Sequence, residues 1–229
     1  MIFKKIFFLL SLPVAGFSQN KLSNQHLFDT IPFIPAHYEK RIKQFKKEPV
    51  ITGRTLFLGN SITEMGEWKI LLNDSTIINR GISGDITFGV LKRLDDIIVR
   101  KPSKLFIKIG INDIGKDIPD AIIADNIRKI IQRIQKESPD TKIFLQSLLP
   151  VNPAYPGFPQ HYDKMEHVMN TNSLLRSMAE TCSIRFVNLF PVFLDSKGLL
   201  DAQYTTDGLH LNPKGYRLWA DYLKKEKLL

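Results

Sequence analysis

Thr55-Leu-Phe-Leu-Gly-Asn-Ser-Ile-Thr-Glu64 is the stretch on which the fold turns. Its first part, Thr55 to Leu58, is a short apolar run of the kind that forms a buried strand. Gly59, Asn60 and Ser61 end the run and open a helical pattern over 62–72. A strand passing directly into a helix is the opening of a crossover unit. The same alternation recurs downstream, with Thr76–Ile78, Leu105–Ile109, Lys142–Leu145 and Arg185–Leu189 reading as strands. Helical spacing covers 86–99, 119–137, 161–182 and 213–225, with Pro119 and Pro213 at first-turn positions. The expected fold is therefore α/β: a three-layer α/β/α domain around an about five-stranded, mostly parallel sheet. Parallel neighbours require crossovers, which are usually helical and right-handed. Sites in such sheets form beyond the carboxyl ends of the strands, so chemistry is expected just after the apolar runs.

Outward from this core, Lys4 and Lys5 precede an apolar run from Ile6 to about Phe17 that contains Pro13 and ends in small residues. The run is shorter than the ~20 residues a membrane span needs and reads as a signal peptide, with cleavage expected near Ser18 or Gln19. The expected organisation is a signal peptide at 1–18, an N-terminal extension at 19–50 and the α/β domain at 51–229. The extension carries one helix, Ala36–Lys47, on which Tyr38, Ile42 and Phe45 recur at helical spacing. Export to the periplasm or medium follows, with no stable membrane insertion once the signal is removed. The single cysteine, Cys182, offers neither a disulfide framework nor a lipid-anchoring site near the apolar run, and is expected to be a buried structural thiol. The formal charge is +9, and removing Lys4 and Lys5 lowers it by two. Most of the excess lies near the two ends, at Lys40–Lys47 and Lys224–Lys227, as solvated helix faces. No aromatic-interleaved basic groove points to nucleic acid.

Four segments at strand ends carry the chemistry. Ser61 stands where the first core strand meets a helix, a position suited either to a nucleophile or, with Glu64, to a capping box. The Gly-x-Ser-x-Gly elbow is absent, because Thr63 occupies its second glycine. Gly84 allows close approach of backbone to a ligand oxygen, and Asn112 offers a side-chain amide to the same oxygen, although turn chemistry alone also uses these residue types. Asp207-x-x-His210 precedes a helix capped by Asn212 and Pro213. In a turn this spacing lets the carboxylate reach Nδ1 and leaves Nε2 free as a base. His161 and His167 are read onto one helix, six residues apart and on different faces. The loop from Leu149 to His161, with four prolines, Tyr155 and Phe158, is either a pocket wall or a rigid connector.

Taken together, Gly59-Asn-Ser61, Gly81-x-x-Gly84-Asp85, Gly110-x-Asn112-Asp113 and Asp207-x-x-His210 resemble the four blocks of the SGNH hydrolases, or GDSL-type esterases. The stretches 80–94 and 207–216 are similar to the platelet-activating-factor-acetylhydrolase-like and carbohydrate-acetylesterase branches. The resemblance implies a flavodoxin-like hydrolase fold with Ser61 as nucleophile, His210 as base and Asp207 as its orienter. It implies an oxyanion hole from the Ser61 and Gly84 amides and the Asn112 side chain, with no metal and no cofactor. Asn60 departs from the family's motif, which has aspartate there, so an effect on capping or local hydrogen bonding is expected. The implied activity is hydrolysis of small acyl esters, acetyl foremost, on carbohydrate, and the implied partner is a small-molecule or glycan ester. The alternatives are a lysophospholipase or thioesterase acting on longer chains, and a non-catalytic glycan-binding module. Trp68 and Phe88 are expected in the core rather than against a sugar.

Overall fold

The structure, a computed structural model, describes residues 36–229; the expected signal peptide and the first part of the extension lie outside the described residues. Thr55–Gly59 forms strand β1, followed by two short helices, α2 (Ser61–Glu64) and α3 (Trp68–Leu71). They are preceded by α1 (Ala36–Lys47), which has the bounds its spacing predicts. Then come β2 (Ile78–Gly81), α4 (Thr87–Lys92), α5 (Leu94–Ile98), β3 (Lys104–Lys108), α6 (Ile111–Gly115) and α7 (Asp120–Glu137). The chain continues through β4 (Lys142–Gln146), α8 (Pro159–Tyr162), α9 (Met165–Thr181), β5 (Arg185–Val187) and α10 (Pro213–Lys225). The five strands pair in the order β2-β1-β3-β4-β5, every pairing parallel. This is the α/β sheet the alternation predicts.

The register explains the core. Phe57 pairs with Phe106 and Phe106 with Phe144, so three rings stack across one face of the sheet at 4.7 and 4.6 Å between centroids. Trp68 stacks on Phe57 at 4.2 Å, and Trp219 of α10 meets Trp68 edge-on. Gly66 makes this possible, because a Cβ there would lie 2.4 Å from the Trp68 ring. Leu56, Leu58, Leu105 and Ile107 alternate to the other face, where all are fully buried. Burying side chains of this size contributes about 1.5–3 kcal/mol each, which makes the sheet a stiff platform for whatever its loops carry. Trp68 and Phe88 are both core residues, as expected.

Three readings need correction. The second strand was expected at Thr76–Ile78 but lies at Ile78–Gly81, so Asn79 and Arg80 are strand rather than loop. Their polar side chains are hidden by partners. Arg80 pairs with Glu48 and Asp96, each at 2.8 Å, and the Asn79 amide donates to the carbonyls of Thr63, Glu64 and Gly66. The helical patterns over 62–72, 86–99 and 161–182 are each broken in two. His161 and His167 therefore do not share a helix: the chain breaks at Asp163 and Lys164. Cys182 is half-buried at the end of α9 rather than in the core, because the helix terminates there.

Candidate active site

Because β2, β1 and β3 are neighbours, the loops leaving their carboxyl ends lie side by side. The β1 loop carries Ser61 as the first residue of α2. Asn60 is the cap: its side chain accepts from the Ile62 amide at 3.1 Å. The capping box is not formed, since Glu64 is engaged elsewhere. Its carboxylate accepts from the Ser83 amide and hydroxyl and pairs with Arg41 and His37. Ser61 is thus left for another partner. Its Oγ lies 2.9 Å from His210 Nε2, across 149 residues of sequence. The serine is only 6% exposed, so water competes little for this contact.

Thr205–His210 is a tightly wound turn. His210 Nδ1 lies 2.8 Å from Asp207 Oδ2, while Asp207 Oδ1 accepts from the His210 and Leu209 amides at 2.7 and 3.0 Å. Burial opposes ionisation of Asp207, but these hydrogen bonds outweigh it and hold the carboxyl below the usual range. A carboxylate at Nδ1 places the ring proton there and leaves the Nε2 lone pair facing Ser61. Thr205 Oγ1 braces the turn, donating to the His210 carbonyl and accepting from the Gly208 amide. Gly208 has φ +80°, and a Cβ there would strike the Asn152 carbonyl at 2.3 Å. α10 follows, with Asn212 as its cap, and sends the Tyr216 hydroxyl back to the Ile62 carbonyl at 2.8 Å.

Gly84, at φ +79°, sits in the loop after β2. Asn112 is on α6 after β3, and its Nδ2 donates to the Asp85 carbonyl at 2.9 Å, joining the two loops. The loop after β2 is also tied to β1, as the Ile82 amide donates to the Gly59 carbonyl. The acids beside Gly84 and Asn112 are structural. Asp85 is buried against Arg93 at 2.8 Å, and burial pushes its carboxyl up to about 6 against the pull of that guanidinium. Asp113 accepts from the Thr87 amide and hydroxyl, and burial pushes it up to about 7. Among the described residues no cluster of His, Cys, Asp and Glu has metal-holding geometry.

The Pro-rich loop is a wall of this site. Phe158 lies edge-on to the His210 ring at 5.0 Å, and the Tyr162 hydroxyl donates to the Asp207 carbonyl at 2.6 Å. The Asn152 amide donates to the Gly208 carbonyl at 2.8 Å, so loop and turn support one another. Sequence reasoning missed Glu64 and His161. The first was absorbed into a capping motif. The second was discounted by one continuous helix that is in fact broken between His161 and His167, and its placement just after Phe158-Pro159 was the usable signal.

The geometry has counterparts among known proteins. The GDSL-like lipase/acylhydrolase family model matches residues 57–218. An arylesterase of Vibrio mimicus is 27% identical over 80% of this chain and 89% of its own length. A solved GDSL-like lipase from Bacteroides thetaiotaomicron is 25% identical, with a TM-score of 0.72 over 84% of this chain and 98% of that one. An acetylxylan esterase from Geobacillus stearothermophilus, 19% identical over 78% of this chain and 96% of that one, shares the fold at a TM-score of 0.62. The chain belongs to the GDSL-like lipase/acylhydrolase family and is a carboxylic ester hydrolase.

Proposed function

We propose that the protein is an exported serine esterase that removes small acyl groups, acetyl foremost, from carbohydrate. The observation carrying the mechanism is the continuous chain from Ser61 Oγ to His210 Nε2 and from His210 Nδ1 to Asp207. In this reading Ser61 Oγ attacks the ester carbonyl while His210 Nε2 takes its proton. The oxyanion of the tetrahedral intermediate is held by the Ser61 and Gly84 amides and Asn112 Nδ2. Such donors are worth roughly 10²- to 10³-fold in rate each. His210 then passes the proton to the leaving alcohol. Water, activated by the same imidazole, repeats the attack on the acyl-enzyme and frees Ser61.

The acetyl and carbohydrate parts draw support from the fold shared with the acetylxylan esterase, and from Tyr155 and Phe158 in the loop beside His210. Ser61→Ala is expected to abolish p-nitrophenyl acetate hydrolysis with the melting temperature retained, and a fluorophosphonate probe is expected to label Ser61; retained turnover and no label would remove the serine mechanism. An acyl-length series on model esters checks the substrate, with activity falling beyond short chains; a preference for long chains would assign a lysophospholipase or thioesterase instead. Among the described residues no helix is long and apolar enough to cross a membrane. N-terminal sequencing of the mature protein tests export, with cleavage expected near Ser18 or Gln19.

A further inference from the structure

We infer that His161 is a positioning residue that orients the Asn112 side-chain amide toward the oxyanion, an inference resting on the oxyanion role proposed for Asn112. A primary amide has two ends, and only Nδ2 can stabilise a developing negative charge. Asn112 is held at both ends. Nδ2 gives one hydrogen to the Asp85 carbonyl at 2.9 Å, leaving the other for a ligand, and Oδ1 faces His161 Nε2 at 3.4 Å. Inverting the amide would set Oδ1 against the Asp85 carbonyl oxygen, so the carbonyl and the imidazole together select one orientation.

The imidazole is suited to this in tautomer, charge and placement. A proton on His161 Nδ1 would turn the Nε2 lone pair toward Asn112 Oδ1, setting two acceptors against each other. A proton on Nε2 makes the same contact a hydrogen bond to Oδ1. Burial, then the charges of Lys164 and His210, push the ring down to about 4, so it stays neutral while His210 cycles through its imidazolium. Space for the ring is reserved by Gly115, at the end of the same helix that carries Asn112: a Cβ there would lie 2.5 Å from Nε2 and 2.8 Å from Cδ2. Phe158 meets the ring edge-on at 6.1 Å. Lys164 clamps the segment to the end of α6, donating to the Ile114 carbonyl at 2.9 Å and Asp117 at 2.6 Å.

The test is a double-mutant cycle in the full chain, read as kcat and KM for p-nitrophenyl acetate with melting temperatures alongside. His161→Leu is expected to lower kcat by about 10- to 100-fold, within what one oxyanion donor is worth, with KM changed by less than about 2-fold. His161→Gln, which keeps an N–H donor, restores most of the loss. In an Asn112→Ala background His161→Leu costs nothing further. Gly115→Ala, by displacing the ring, reproduces the kcat loss and carries the test if His161→Leu fails to fold. A full additional loss in the Asn112→Ala background, a His161→Gln as impaired as His161→Leu, or an unchanged kcat in His161→Leu would each overturn the inference. If Asn112→Ala itself leaves kcat intact while Ser61→Ala abolishes it, the oxyanion role of Asn112 fails, and this inference falls with it.

Discussion

Ser61 meets His210, and the Asp207 carboxylate holds His210 with two hydrogen bonds, at the backbone amide and at Nδ1, while the Leu209 amide supplies a third. The charge state of this pair decides the pH response. Asp207 is held below the ordinary carboxylate range, so it stays ionised beside the imidazole into the acid range. An imidazolium cannot accept the serine proton, and kcat/KM is therefore expected to fall through a single acid limb between about pH 8 and pH 5. A pH–rate profile measures this, and a flat profile would exclude His210 as the base. Asp207→Asn should lower kcat sharply, by up to about 10⁴-fold, because the amide no longer dictates which ring nitrogen is protonated. At this scale the sequence was readable where residue type and spacing jointly imply a contact, as in Asp207-x-x-His210. It was opaque where the partner is distant: nothing local to Glu64 announces Ser83, Arg41 or His37.

Helix α1 lies outside the sheet yet reaches the site through Glu64. Arg41 and His37 of α1 meet this carboxylate, which in turn holds the amide and hydroxyl of Ser83, the neighbour of Gly84. Tyr38 fixes the helix further, its hydroxyl donating to the Gly89 carbonyl at 2.8 Å, while Phe45 packs into the core. Burial opposes ionisation of Glu64, but hydrogen bonds from Ser83 and His37 and the charge of Arg41 leave its carboxyl below the usual range. Glu64→Gln should loosen both contacts, lowering the melting temperature and reducing kcat by about 10-fold through a less constrained Gly84 loop. An unchanged kcat would show that α1 anchors the fold without tuning the site. Among the elements, strands with apolar runs and the long helix α7 were legible from composition and period. β2 was displaced in the reading because its strand character is set by the register with β1 and by partners for Arg80, both invisible to local propensity.

For the molecule as a whole, two buried acids act against the rest. Asp113 and Asp85 bind protons more tightly in the folded state than an unfolded carboxyl does. Their contribution is most favourable at low pH and is lost as pH rises from about 4 through about 6 to 7. Glu64 and Asp207 have the opposite sign, contributing above the unfolded carboxylate range and losing that contribution as pH falls through their depressed values. The stability maximum is therefore expected on the mildly acidic side of neutrality. Asp113→Asn should flatten the fall in melting temperature between pH 4 and pH 7, and thermal scans across that range measure the difference in slope. The α/β architecture was legible because alternation of strand and helix allows few topologies. The close approach of three loops was not, since it depends on β1 lying between β2 and β3. The order of synthesis adds a consequence. In the proposed mechanism the serine leaves the ribosome 149 residues ahead of the histidine that would activate it, and α10, which follows that histidine, reaches back to the serine's helix through the Tyr216 hydroxyl and the Ile62 carbonyl. On that proposal a truncated or half-made chain carries an inert hydroxyl, and reactivity waits for completion of the fold.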